Sequence, residues 1–155
     1  MDEVSIEKLN GNDSKQIELI AEWYLNEWNI PKESTIQRLT NHPENGIPFQ
    51  MVLKLGGIPI ATGGIYNHVG LLDVEPRFKI FNPWLALVYT IPEMRNNGYG
   101  ALLCNEIEKV SKQCGLDEIY LFTHTAESLY LSMNWKTIER IEIKGHDIAV
   151  MEKKI

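Results

Sequence analysis

The segment that decides the fold is TIPEMRNNGYGALLCNEIEKVSKQCG, Thr90 to Gly115. An almost continuous apolar run, Trp84 to Thr90, leads into it and is typical of a central strand buried on both faces. Two glycines one residue apart, Gly98 and Gly100, then open a helical pattern, and Gly115 suits the position that follows a helix. The segment therefore predicts a strand, a glycine turn and a helix in direct succession.

A glycine turn before a helix can bind an anion. The first N–H groups of a helix lack backbone partners, and the helix dipole is positive at this end. Glycines let the backbone approach an anion closely, and Arg95 adds a donor for two phosphate oxygens. The dinucleotide fingerprint is excluded because Leu103 stands where its third glycine would be, and the P-loop is excluded because no Gly-Lys-Ser/Thr follows. A plain strand-to-helix turn remains the alternative, so the flanking sequence has to decide.

The rest of the chain predicts a mixed sheet in one domain, residues 1–155. The predicted order is β α α β β β α β α β β, with a long loop over residues 68–82. The strands and helices around this loop are a first strand at 4–9, helices after Ser14 and after Pro31, a hairpin at 49–67, a strand at 118–122, a helix at 126–133 and a last hairpin at 137–151. The central strand–helix–strand unit predicts a parallel crossover.

The composition narrows the classes of protein that need considering. The chain has 44% hydrophobic and 23% charged residues and a net charge of −6. No basic stripe stands out, which argues against nucleic acid as a partner. No apolar run approaches the roughly 20 residues that span a membrane, and the acidic N-terminus does not match a targeting signal, so we expect a cytoplasmic protein. No Cys/His spacing indicates a metal site.

Two motifs together resemble a known family. Arg95-x-x-Gly98-x-Gly100-Ala101, following a strand and Pro92-Glu93, resembles motif A of the GNAT family of N-acetyltransferases. The segment LYLSMNW, Leu129 to Trp135, is similar to the second signature of that family and lies about 30 residues downstream, as the family requires. The resemblance implies an α/β fold with a mixed, mostly antiparallel sheet of about seven strands, a splayed parallel pair and about four flanking helices. Asn134 stands where the family has glycine, and because Asn tolerates the left-handed conformation we expect the turn before Trp135 to survive.

A narrower resemblance lies in the central strand and the turn that follows it. PWLALVYTIPEMR, Pro83 to Arg95, is similar to the pattern of a bacterial subgroup, which in turn is similar to the enzyme that acetylates the actin N-terminus.

The resemblance implies an enzyme that moves an acetyl group from acetyl-CoA to a primary amine, on a small molecule or on a protein N-terminus. The backbone of Val88, Tyr89 and Thr90 would then contact the pantetheine and the thioester carbonyl. The diphosphate would bind the turn made of Arg95, Asn96, Asn97, Gly98, Tyr99, Gly100 and Ala101, and Ser128 is a further contact candidate.

Tyr130 is the implied general acid, since a phenol can protonate a leaving thiolate. A structural tyrosine is the alternative. For the general base we rank His124 first, because an imidazole can accept a proton near neutral pH and this one follows a strand end. Glu22, Glu27 and Glu93 rank below it, because acids in those positions are usually surface charges.

The acceptor substrate is the part of the predicted reaction that the sequence specifies least. Trp23, Trp28, Trp84 and Phe78 could line its pocket, although aromatic residues at helical spacing are more often part of the core. Trp84 and the 68–82 loop are the better candidates, because loops near the catalytic strand usually carry acceptor specificity. A mild acidic excess in the first 42 residues slightly favours a cationic acceptor. Two other classes stay open: an acyl-CoA sensor without turnover, against which Tyr130 argues, and a structural domain that binds no nucleotide. Family members are often dimers, so a homodimer is a further option.

Overall fold

The computed structural model describes residues 2–155, which form seven strands and five α-helices. The strands are β1 (Val4–Lys8), β2 (Phe49–Leu55), β3 (Ile58–Tyr66), β4 (Trp84–Thr90), β5 (Glu118–Thr123), β6 (Lys136–Ile143) and β7 (His146–Lys154). The helices are α1 (Ser14–Trp28), α2 (Lys32–Thr40), α3 (Leu71–Val74), α4 (Tyr99–Gln113) and α5 (Glu127–Ser132). Short 3₁₀ turns cover Pro76–Ile80 and Pro92–Met94.

One sheet holds all seven strands in the order β1-β2-β3-β4-β5-β7-β6. Every neighbouring pair is antiparallel except β4 and β5, which run parallel around the crossover helix α4. Their ladder holds a single pair, Trp84 with Tyr120, near the start of β4. The strands therefore separate toward their carboxyl ends, and the predicted mixed sheet with one splayed parallel pair is confirmed.

Helices α1 and α2 cover one face of the first half of the sheet. Asp13 caps α1, since its carboxylate accepts a hydrogen bond from the Gln16 N–H at 3.1 Å. The buried residues of α1 fall at helical spacing: Ile17, Ile20, Ala21 and Tyr24. Three of them, Ile17, Ile20 and Tyr24, pack in one cluster with Leu39 of α2, Val52 of β2 and Tyr89 of β4. The α1 helix ends where Asn29 adopts the left-handed conformation.

Helices α4 and α5 cover the opposite face. Leu103, Cys104 and Ile107 of α4 are buried against β2, β3 and β5, together with Tyr130 of α5. Gly115 follows the last turn of α4 with φ of 87°, which confirms its predicted role after the helix. The sheet is thus covered on both faces over β2, β3 and β4, and these strands supply much of the core.

The predicted loop over residues 68–82 differs from the structure. It contains α3 and the 3₁₀ turn Pro76–Ile80, so there are five helices rather than about four. The physical reason is hydrophobic: Leu71, Leu72 and Phe78 are all buried against β4, β5 and β7. Four helical residues are too few to show a periodic pattern in the sequence.

Within residues 2–155, no helix has the length and apolar character needed to cross a membrane. In the same range, no three His, Cys, Asp or Glu side chains cluster closely enough to hold a metal ion.

Candidate functional site

The central feature of the site is a β-bulge in β4. Tyr89 pairs with Thr62 and Ala86 pairs with Gly64, so Leu87 and Val88 together face the single residue Gly63. Leu87 takes up the extra length in the left-handed region, with φ of 59°. A Cβ on Gly63 would lie 3.0 Å from the Val88 side chain, so glycine fits the crowded position opposite the bulge. Leu87 was not among the predicted site residues, although the two adjacent glycines inside β3, Gly63 and Gly64, are a sequence signal for a bulge.

Beyond the bulge, β4 has a free edge toward β5. The single pair Trp84–Tyr120 closes the ladder, so Val88, Tyr89 and Thr90 have no partner residue on β5. Apart from the Thr90 carbonyl, which accepts a hydrogen bond from Arg95, the backbone groups on that side are available to a ligand inserted between the two strands. These are the three residues at which the resemblance implies contacts with the pantetheine.

The start of α4 is open and rich in unpaired N–H groups. The first intrahelical bond runs from the Leu102 N–H to the Gly98 carbonyl at 3.1 Å, which leaves the N–H groups of Tyr99, Gly100 and Ala101 without an intrahelical acceptor. Gly98 has φ of 84° and Asn96 has φ of 65°, so the turn curls back before the helix begins. This geometry presents several N–H groups toward one point, as an anion site requires.

The two glycines of the turn differ in what the protein itself requires of them. Gly98 has a positive φ, which disfavours any side chain. Gly100 has no positive φ, and a Cβ there would meet only Thr90 Oγ1, at an ordinary 3.8 Å. Because packing within the protein does not require glycine at position 100, the space in front of it is available to a ligand.

Arg95 lies between this turn and β4. Its Nε donates to the Thr90 carbonyl at 2.7 Å, and its guanidinium lies over the Tyr89 ring at 5.3 Å. Its Nη2 is 3.7 Å from the Glu27 carboxylate of α1, an exposed pair of small energetic weight. Asn97 instead serves the turn itself, since its Nδ2 donates to the carbonyls of Met94 and Arg95.

Tyr130 lies on α5 with its ring buried at 9% exposure. Its hydroxyl contacts the thiol of Cys104 on α4, and its ring meets Trp135 edge-on at 5.9 Å. Burial, followed by the neighbouring Cys104, raises the pKa of Tyr130, so the phenol keeps the proton that a general acid must donate. Burial likewise raises the pKa of Cys104 to about 12, which makes this thiol unreactive.

The turn after α5 has the geometry expected of the second signature. Asn134 has φ of 71°, so it adopts the left-handed conformation predicted for the residue in the glycine position. The Trp135 N–H then donates to the Tyr130 carbonyl at 3.0 Å. Ser128 is exposed on the same helix.

His124 follows β5 in an exposed position. Its ring centroid is 4.3 Å from that of His146, and its Nδ1 is 3.4 Å from the Asp147 carbonyl oxygen. Because β4 and β5 are parallel and β7 runs opposite to β5, this histidine pair lies at the same edge of the sheet as the end of β4. Glu22, Glu27 and Glu93 are all exposed.

A shallow cavity of about 270 Å³ lies beside the histidine pair. Its lining is mainly apolar: besides Gly70, it consists of Leu71, Val74, Phe122, Ile143 and Ile148, with His124, His146 and Lys144 as the polar members. The residues that line it include no carboxylate. The 68–82 segment contributes Gly70, Leu71 and Val74 to this lining.

The four aromatic candidates for the acceptor pocket divide into two pairs. Trp84 and Phe78 are 0% and 1% exposed, so the expectation that Trp84 lines an open pocket is wrong. Its indole instead donates to the Phe81 carbonyl at 2.9 Å and packs in the core. Trp23 and Trp28 pack on Tyr89 at 5.4 and 6.1 Å, beside the free edge of β4.

A strand that bulges and separates from its parallel neighbour, followed by a helix with an open glycine turn, defines the acetyltransferase class. The model of the Acetyltransferase (GNAT) family matches residues 16–134, and the chain belongs to this family. Family membership confirms the prediction of an acetyltransferase fold that uses acetyl-CoA. No protein of curated function matches the sequence significantly.

Solved structures agree with this fold. A GNAT-family acetyltransferase from Streptococcus pneumoniae has 18% sequence identity and a TM-score of 0.73, with 99% of each chain covered. The aminoglycoside 6'-N-acetyltransferase from Enterococcus faecium has 15% identity and a TM-score of 0.75, over 97% of this chain and 96% of that one. The putative acetyltransferase yncA from Salmonella typhimurium, solved with its cofactor acetyl-CoA, has 12% identity and a TM-score of 0.74, over 98% and 94%.

Proposed function

We propose that this chain is an N-acetyltransferase that moves an acetyl group from acetyl-CoA to a primary amine, on a small molecule or a protein N-terminus. The observation that carries the proposal is the open α4 turn next to the bulged, free edge of β4. The α4 turn offers N–H donors for phosphates, and the free edge of β4 offers backbone groups for the extended pantetheine. The similarity of PWLALVYTIPEMR to the subgroup that resembles the actin N-terminal acetyltransferase supports a peptide acceptor within this proposal.

Two groups of residues would bind acetyl-CoA. Acetyl-CoA supplies an acetyl group activated as a thioester. The N–H groups of Tyr99, Gly100 and Ala101, with Arg95, would hold its diphosphate. The backbone of Val88, Tyr89 and Thr90 would hold the pantetheine and polarise the carbonyl.

Two side chains would handle protons. His124 is proposed to accept a proton from the acceptor amine at one of its ring nitrogens, which frees the lone pair that attacks. Tyr130 is proposed to donate its phenolic proton as the carbon–sulfur bond breaks, and solvent then reprotonates it. A silent acyl-CoA sensor is less favoured, because Tyr130 is present and its phenol stays protonated.

The cavity beside His124 supports an acceptor with an apolar group next to the amine. Its lining offers aliphatic surface from α3, β6 and β7, and its charged member is a lysine. A polycation would find no carboxylate in this lining, so the slight acidic excess of the first 42 residues is a weaker guide. We therefore propose apolar primary amines, or N-termini with apolar first residues, over polyamines.

The test is the thermal midpoint of unfolding with and without acetyl-CoA. A ligand at a hundredfold excess over its Kd stabilises the folded state by about 2.7 kcal/mol. For a chain of this size that corresponds to a rise of roughly 5–10 °C. We expect Arg95→Ala to lose more than half of the rise and Arg77→Ala, an exposed arginine that pairs with Glu75 and Glu139, to keep it. An equal rise in both variants would remove the diphosphate assignment.

A further inference from the structure

One buried hydroxyl contacts the bulge of β4. Tyr24 of α1 is 0% exposed, and its Oη donates a hydrogen bond to the Leu87 carbonyl at 2.6 Å. Leu87 is the residue with a positive φ, so the contact falls on the strained peptide itself. Nothing in the acetyltransferase chemistry described above uses Tyr24.

A network of buried side chains fixes the direction of this hydrogen bond. The Tyr66 hydroxyl donates to Oε1 of Gln50, which turns the Gln50 Nε2 toward Tyr24. Nε2 then donates to Tyr24 Oη at 2.8 Å and to Thr62 Oγ1 at 2.8 Å, and Thr62 donates onward to the Met51 carbonyl. Because Tyr24 Oη already accepts a hydrogen bond from Gln50 Nε2, its own single proton is directed to the Leu87 carbonyl.

The neighbouring strand is built to leave room for this network. A Cβ on Gly64 would overlap the Phe49 carbonyl oxygen, and it would lie 2.7 Å from Gln50 Oε1 and 2.9 Å from the Tyr66 ring. Glycine at position 64 is therefore required where the Gln50–Tyr66 hydrogen bond forms. The second of the two adjacent glycines in β3 thus serves the network, as the first serves the bulge.

The network also determines where the next N–H points. A trans peptide is planar, and its C=O and N–H groups point in opposite directions. When Tyr24 holds the Leu87 carbonyl, the Val88 N–H is held pointing away from Tyr24. Val88 is the first residue after the positive φ and belongs to the part of β4 without a partner on β5.

We propose that Tyr24 is a positioning residue that aims the Val88 N–H at the thioester carbonyl, where negative charge develops during acyl transfer. This inference rests on the proposed function and assigns Tyr24 a role that acts through the Leu87–Val88 peptide. Burial raises the pKa of Tyr24, in keeping with a phenol that remains a hydrogen-bond donor.

The test compares Tyr24→Phe with Tyr120→Phe. Tyr120 is also buried, at 6% exposure, and its hydroxyl donates to Glu118 at 2.6 Å on β5, away from the bulge. Both variants delete one hydroxyl from a packed ring. We expect Tyr24→Phe to lower kcat at least tenfold while the Kd for acetyl-CoA changes less than threefold, and Tyr120→Phe to keep kcat within threefold. A wild-type kcat in Tyr24→Phe, or an equal loss in both variants, would overturn the proposal.

A second measurement uses the wild-type protein, so it does not depend on the folding of a variant. Amide proton and nitrogen shifts are recorded with free CoA and with acetyl-CoA, which differ only in the acetyl group. We expect the Val88 amide to move further with acetyl-CoA, as its N–H meets the carbonyl. If the amides of Tyr99 to Ala101 shift and Val88 responds equally to both ligands, the role of Tyr24 is wrong. If neither set of amides shifts, it is the proposed function that fails.

Discussion

Gly100 offers a substitution with opposite effects on the free and the bound protein. In the free protein, Gly100→Ala places a methyl group 3.8 Å from Thr90 Oγ1 and strains no backbone angle. Because alanine loses less conformational entropy than glycine in a helix, we expect the free protein to gain about 0.5 kcal/mol. That gain raises the thermal midpoint by roughly 1–2 °C.

In the complex, the same methyl group would stand between the α4 N–H groups and the diphosphate. Loss of one charge-assisted hydrogen bond costs about 1.5–3 kcal/mol, or roughly a 10- to 100-fold higher Kd. At acetyl-CoA a hundredfold above the wild-type Kd, wild type gains about 2.7 kcal/mol, whereas the variant gains only about 0.4–1.4 kcal/mol.

The assay is thermal unfolding of both proteins, with and without acetyl-CoA. Gly70→Ala is the matched control for cofactor binding, because Gly70 also has a negative φ and a Cβ there would meet nothing within 4 Å. We expect the control to keep the full cofactor-induced rise. A Gly100→Ala protein that also kept the full rise would refute the argument that the space in front of Gly100 belongs to a phosphate.

Three further predictions concern single side chains. Tyr130→Phe should lower turnover by 10²- to 10⁴-fold, measured by release of free thiol, with little change in acetyl-CoA affinity; undiminished turnover would contradict its role as the acid. Burial, with a smaller contribution from Arg38, lowers the pKa of His42 from 6.5 to about 4, so between these values the unfolded chain binds more protons than the folded one. The free energy of unfolding should therefore fall by about 1 kcal/mol, after allowance for solvent screening, as the pH drops from about 6.5 to 4, and His42→Gln should flatten that slope in denaturant titrations. Asn134→Ala should cost about 1 kcal/mol because Asn134 has φ of 71°, whereas Asn134→Gly should lie close to wild type in the same titrations.

The parts of the fold that depend on neighbours in sequence were predictable. The apolar run of β4, the glycine turn and the amphipathic α4 lie within one continuous stretch, and each carries a local signal. The resemblance placed a turn at Asn134, and the tolerance of Asn for the left-handed conformation predicted that the turn would survive without glycine. Together with the resemblance of two motifs, these local signals were sufficient to predict the family, the order of most strands and helices along the chain, and the glycine turn before α4.

The positioning network was not predictable, because no local pattern connects its members. Tyr24 and Leu87 are 63 positions apart, and Gln50 is 26 positions from Tyr24. In the sequence, Gln50 occupies a polar position of an alternating strand, where solvent exposure is the ordinary expectation. In the structure it is 1% exposed, because α1 covers the face that an alternating strand would turn to water.

The side-chain amide of a buried glutamine needs hydrogen-bond partners in place of water. Tyr24 and Thr62 accept from Nε2 of Gln50, and Tyr66 donates to its Oε1. These hydrogen bonds offset the cost of burying the polar amide. The Tyr24 hydroxyl, which belongs to the same network, donates to the Leu87 carbonyl and so couples the packing of α1 to the conformation of β4.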